Sequence, residues 1–121
     1  MTRREILKTA VAALEDKKGN DIQLIHVREQ TIIADYFIIA SGTSSTQVKT
    51  LAEEVEFKLE EAGIRPTRVE GKSTSWILLD YADVIVHVFH EKAREFYALE
   101  RLWSDGEPVE LSSLEVEESV K

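Results

Sequence analysis

The run VIVHVF from Val84 to Phe89 is apolar at every position except His87. Successive side chains of a strand point to opposite faces, so a run without polar alternation must be covered on both sides. This stretch therefore belongs inside a sheet, with other elements packed over each surface. WILLD, from Trp76 to Asp80, precedes it across a tight turn at Tyr81-Ala82. The two segments are expected to form a hairpin of strands Trp76 to Asp80 and Asp83 to Phe89. Asp80 and Asp83 bracket the turn and bring two carboxylates to one end of the most apolar hairpin in the chain.

The remaining elements arrange themselves around this hairpin. Thr2 and Glu5 match a capping box opening a helix, with Ile6, Leu7, Ala10, Val11 and Leu14 at helical spacing and Gly19 as its left-handed C-cap. Strands are expected at Asp21 to Val27 and at Asp35 to Ala40, the second again lacking alternation and so interior. Ser44 with Gln47 forms another capping-box pattern. It opens a helix striped by Val48, Leu51, Val55 and Leu59, which stops at Ala62-Gly63, and Phe57 falls off that stripe. A short strand from Pro66 to Glu70, a loop from Gly71 to Ser75, and a last helix from Glu91 to Trp103 complete the order. The fold class is α/β: a mixed sheet of about five strands flanked by helices.

A chain of 121 residues with 43% hydrophobic content supports one core. It is divided here into a domain over residues 1–106 and an acidic, flexible tail over 107–121. That tail holds five Glu against one Lys, half of the net charge of -8. So acidic a chain does not wrap nucleic acid by its own charge, and a basic protein partner suits it better. Without cysteine it has no disulfide framework and no thiolate metal site. No run approaches the roughly 18 apolar residues of a membrane span, and the expected location is the cytoplasm. Self-association into a homodimer is left open.

Three constellations bear on chemistry. Asp80, Asp83 and His87 have the residue types of a divalent-cation site, but strand geometry separates His87 from the turn, and aspartates beside a tight turn are what turn formation alone selects. His87 reads better as a buried, neutral, hydrogen-bonded histidine. The Ser41-Gly42-Thr43 turn before a helix has the form of an anion site, yet it lacks the Gly-Lys-Ser/Thr ending of a Walker loop, and a capping role is favoured. Trp76, Tyr81 and the Glu70-Gly71-Lys72 loop put aromatic and charged groups near the two-carboxylate turn, a composition suited to a protein interface. Trp76 at a strand start fits the core equally well.

DYFIIASGTSS from Asp35 to Ser45, VEG from Val69 to Gly71, WILLDYADVIVHVF from Trp76 to Phe89, and Arg94, Phe96, Tyr97, Leu99 and Trp103 beyond them resemble the ribosomal silencing factor family, RsfS or Iojap. The resemblance covers roughly residues 3 to 105. It implies a nucleotidyltransferase-like fold without enzymatic activity, cofactor or metal. It implies binding to ribosomal protein fourteen of the large subunit at the subunit-joining face, where the small subunit is kept from docking and translation falls when nutrients are short. No sequence-specific nucleic-acid or membrane contact is expected. The expected docking residues are Glu70, Lys72, Trp76, Leu79, Asp80, Tyr81 and Asp83. Tyr81-Ala82 stands where many members carry a glycine, so the turn is expected to differ slightly. The alternative is a nucleotidyl or phosphoryl transferase using the Ser41-Gly42-Thr43 turn with Asp80 and Asp83.

Overall fold

The structure is a computed structural model that describes residues 3–26, 36–71, 76–92 and 107–108. The Thr2 cap, Lys72 and the helix expected through Trp103 lie outside the described residues, the last from residue 93 onward. Helix α1 (Arg3–Asp16) leads into strand β1 (Asn20–His26), β2 (Tyr36–Gly42) and helix α2 (Ser45–Glu61). Strands β3 (Arg68–Glu70), β4 (Trp76–Asp80) and β5 (Val84–His90) follow, and a two-residue strand β6 (Glu107–Pro108) comes last.

The strands form one mixed sheet in the order β3-β4-β5-β2-β1-β6. β2 and β5, the two runs without polar alternation, lie side by side at its centre as its parallel pair, with Phe37 opposite Ile85 and Ile39 opposite His87. α2 lies in the crossover between them, as parallel pairing requires. The five expected strands are present, β4 and β5 as an antiparallel hairpin. A sixth was not anticipated: Glu107 and Pro108, the first residues of the expected tail, pair with His26 and Ile25 along the edge of β1.

One sheet face carries Leu24, Ile38, Ala40, Ile77, Leu79 and the valines of β5, and the apolar stripes of both helices bury against it. Ile25, Phe37, Ile39, Ile85 and Phe89 form a second buried cluster on the opposite face, with Trp76 and Leu78 partly buried against it. Both pleat faces of β5 are thus lined with apolar contacts, as its composition demands.

The helix ends differ instructively from expectation. In α1 the left-handed residue is Lys18, at φ 61°, rather than Gly19. Lys18 N donates to Glu15 O at 3.0 Å and Gly19 N to Leu14 O at 2.8 Å, the paired bonds of a Schellman motif. Gly19 is needed for space, because a Cβ there would stand 3.1 Å from Leu14 O and 3.2 Å from Leu51 Cδ2. α2 ends in the same motif with Gly63 in the left-handed position at φ 85°, Gly63 N bonding Glu60 O and Ile64 N bonding Leu59 O.

Leu51 is fully buried between the helices and the sheet. Leu51→Ala is expected to lower stability by about 2 to 5 kcal/mol, read from urea denaturation at an unchanged m value.

Candidate partner-docking site

Strand alternation divides the expected docking residues between the two faces of the sheet. Ile77, Leu79 and Tyr81 point toward the helices, while Trp76, Leu78 and Asp80 point away from them. Leu79 is completely buried in the helix-side core, and Tyr81 is only 6% exposed within it. Burial, and then the carboxylates of Glu56 and Glu60 on α2, push the Tyr81 phenol well above its ordinary range. Both residues pack the core, and neither offers surface to a partner; this corrects their assignment to the docking set.

The other residues do assemble. Arg68 pairs in register with Asp80, and Glu70 with Leu78. The Arg68 guanidinium lies 3.5 Å from the Glu70 carboxylate and 3.7 Å from that of Asp80. These partly solvated ion pairs contribute little stability. Their electrostatic effect is clearer: one guanidinium between two carboxylates leaves the rim negative, and exposed Asp83 adds to it at the turn. Inside this rim, Trp76 and Leu78 are half-buried and anchored on the second apolar cluster. Arg68 and Leu78 were missed in the sequence. Spacing puts Leu78 on the same strand face as Trp76 and Asp80, but WILLD alone does not show that this face is the outer one.

Trp76 belongs to both core and surface. Its ring stacks on Phe89 with centroids 5.0 Å apart, and its Nε1 donates to His87 Nδ1 at 3.1 Å. His87 is 4% exposed and also meets the Phe37 ring edge-on at 4.7 Å. Accepting at Nδ1 requires the neutral imidazole with its proton on Nε2. Desolvation lowers the pKa to about 4. The buried, neutral histidine expected from the apolar strand is what the structure contains, and Trp76 is its donor. His87 is committed to that contact and stands four residues along the strand from Asp83, roughly 13 Å at strand rise, so the three groups do not converge on a cation.

Asp80 has work of its own in the turn. Its Oδ1 accepts from Ala82 N at 2.8 Å, and Tyr81 N donates to Val84 O, so the tight loop consists of Ala82 and Asp83. Ala82 takes φ 69°, where a Cβ is strained and glycine is at ease. The Ser41-Gly42-Thr43 turn is likewise occupied. Ser44 Oγ caps α2 by accepting from Gln47 N, while Gln47 Oε1 accepts from both Thr43 N at 2.7 Å and Thr43 Oγ1 at 3.0 Å. Gln47 Nε2 then donates to the carbonyls of Lys17 and Lys18 at the end of α1. The cap reaches one residue further back than a standard capping box, and it takes up the Thr43 N–H and hydroxyl of the turn.

The chain matches the family model described as "Ribosomal silencing factor during starvation" over residues 1–121. It is 40% identical to the ribosomal silencing factor RsfS of Halalkalibacterium halodurans, covering 94% of this chain and 98% of that one. It is 41% identical to that of Bacillus subtilis, covering 88% and 91%. The more distant chloroplastic protein Iojap of Zea mays is 32% identical, with 88% of this chain matching 48% of that one. Among solved structures, a Chromobacterium violaceum protein superposes with a TM-score of 0.83 at 42% identity, covering 86% and 88%. A Bacillus halodurans protein gives 0.79 at 38% identity, covering 89% and 99%.

Two outcomes test this geometry. Ala82→Gly is expected to raise stability by about 0.5 to 1 kcal/mol in thermal or urea unfolding, by relieving the left-handed strain. Stability should also follow the charge of His87, whose pKa falls from 6.5 in the unfolded chain to about 4 in the fold. Above pH 6.5 the contribution is fully present. Between pH 6.5 and 4 the unfolded chain binds a proton that the folded chain refuses, and about 3 kcal/mol is lost. Proton NMR should show the His87 ring titrating near 4 rather than 6.5.

Proposed function

Because this chain belongs to the ribosomal silencing factor family, we propose that it binds the large ribosomal subunit through ribosomal protein fourteen, blocks joining of the small subunit and so represses translation when nutrients are short. The observation that carries this reading is the half-buried pair Trp76 and Leu78 inside the negative rim of Glu70, Asp80 and Asp83, in a chain that matches the family from end to end. An apolar, aromatic centre within a polar rim is the anatomy of a protein interface. Its charge favours a basic partner such as a ribosomal protein.

Blocking requires no chemistry. It requires occupancy of a surface that the small subunit must also touch, at an affinity able to compete. The acidic, cysteine-free chain suits the reducing cytoplasm where ribosomes join. The nucleotidyltransferase-like fold that the family resemblance implies is part of the same proposal, supported by the small polar turn between β2 and α2. Nothing in that turn favours the transferase alternative, since Gln47 holds its donors.

Sedimentation of purified subunits tests the proposal. The protein should travel with large subunits and not with small ones, and it should reduce the joined-ribosome peak as its concentration rises. Trp76→Ala is expected to weaken binding by about 2 kcal/mol or more, with circular dichroism confirming the fold. Glu70→Lys is the cleaner charge reversal, because Asp80 also holds the turn. It should slow association and flatten its salt dependence while leaving stability near wild type. Wild-type binding by both folded variants would place the contact elsewhere.

A further inference from the structure

Trp76 has a long, flat ring at the margin of the sheet, half in the apolar cluster and half in the surface. Stacking on Phe89 at 5.0 Å fixes the plane of the ring but not its rotation within that plane. The bond from Trp76 Nε1 to His87 Nδ1, 3.1 Å long, removes that freedom. His87 is itself held: its ring is nearly parallel to Phe89, with an interplanar angle of 12°, and edge-on to Phe37, and its backbone lies in the central strand opposite Ile39 and Leu78.

A histidine is otherwise an odd choice here. Its neighbours in β5 are Val, Ile and Phe, and an imidazole costs more to bury than any of them. The ring of a half-buried tryptophan can instead turn its N–H toward water, so satisfying that donor does not by itself call for a buried imidazole. The buried acceptor adds direction, since it ties a half-buried ring to an interior strand paired on both sides.

We propose that His87 is a positioning residue for docking: it holds the Trp76 ring in its binding orientation before the partner arrives, without touching the partner. The inference rests on Trp76 being a docking anchor. It adds that the anchor is preorganised, and that its orientation is set from the core. Fixing a side chain beforehand spares its ordering on association, so losing the acceptor should weaken binding by about three- to tenfold, largely through faster dissociation.

The test uses the full-length protein and purified large subunits, with His87→Phe removing the acceptor and keeping a buried aromatic ring. Two readouts are followed. The first needs no ribosome: the Trp76 indole N–H resonance, assigned with the help of Trp103→Phe, should move toward its solvent-exposed position and exchange faster. The second is affinity, expected to fall about three- to tenfold in the wild-type background and not at all in Trp76→Ala, where His87 has no ring to orient. His87→Asn, which places an oxygen near the position of Nδ1, should restore much of both. An unchanged indole signal overturns the inference, and so does a freed indole with undiminished affinity. An equal loss of affinity in the Trp76→Ala background also overturns it. If His87→Phe does not fold, replacing Trp76 with 1-methyltryptophan removes the donor and keeps the imidazole; a similar loss then supports the inference, and unaltered affinity refutes it. Failure of the underlying docking reading looks different: the wild-type protein would not bind large subunits, whatever the indole signal showed.

Discussion

A strand with apolar side chains on both faces has no solvent side to fall back on. β5 sets this condition for the whole chain, since Val84, Val86 and Val88 need one cover and Ile85 and Phe89 need another. The helices supply the first, with α2 crossing from β2 so that the two least polar strands can pair in parallel at the centre. The second is an aromatic layer that includes Phe37, Phe89 and the inner edge of Trp76. The proposed docking surface is therefore the outer margin of a core layer, and its half-buried members pack on the strand beneath them.

Much of this was legible in residue types. Unalternating apolar runs identified β2 and β5 as interior, the stripe from Val48 to Leu59 identified the buried side of α2, and Ser44 and Gly63 marked its ends. The site was harder to read, for one reason. Ile77, Leu78 and Leu79 are all apolar, so WILLD carries no alternation from which to choose a face. The docking set drawn from the resemblance mixed the two faces, joining Leu79 and Tyr81 to Trp76 and Asp80, although alternation puts Leu78 with the latter pair. Only strand pairing, with Leu78 opposite His87 and Glu70, fixes the phase. Arg68 was invisible for a similar reason, because its closeness to Asp80 depends on register between separate strands.

Local chemistry misled where two demands met on neighbouring residues. A glycine after a lysine pair looks like a left-handed cap, yet Lys18 takes the left-handed φ and Gly19 stands where a Cβ would be tight against Leu14 and Leu51. At the hairpin, Ala82 accepts similar strain with Asp80 bonded to its N–H. Gln47 shows the reverse economy. One amide side chain serves the polar turn before α2 and the Lys17 and Lys18 carbonyls just after α1, so the two helices are tied together through one group. The same bonds give the turn a structural reason for its polar residues.

The pairing of β6 with β1 bears on the order in which the protein can be made. β1 leaves the ribosome before every other strand of this sheet, and β6 after them all. The central parallel pair also waits, because β2 has no β5 to join until the intervening helix and hairpin have been synthesised. Loop closure must come before these distant contacts can reward it, so the sheet assembles late and slowly compared with the helices. Until then β2 presents an apolar edge with no partner, and its exposure lasts as long as synthesis of the rest of the chain.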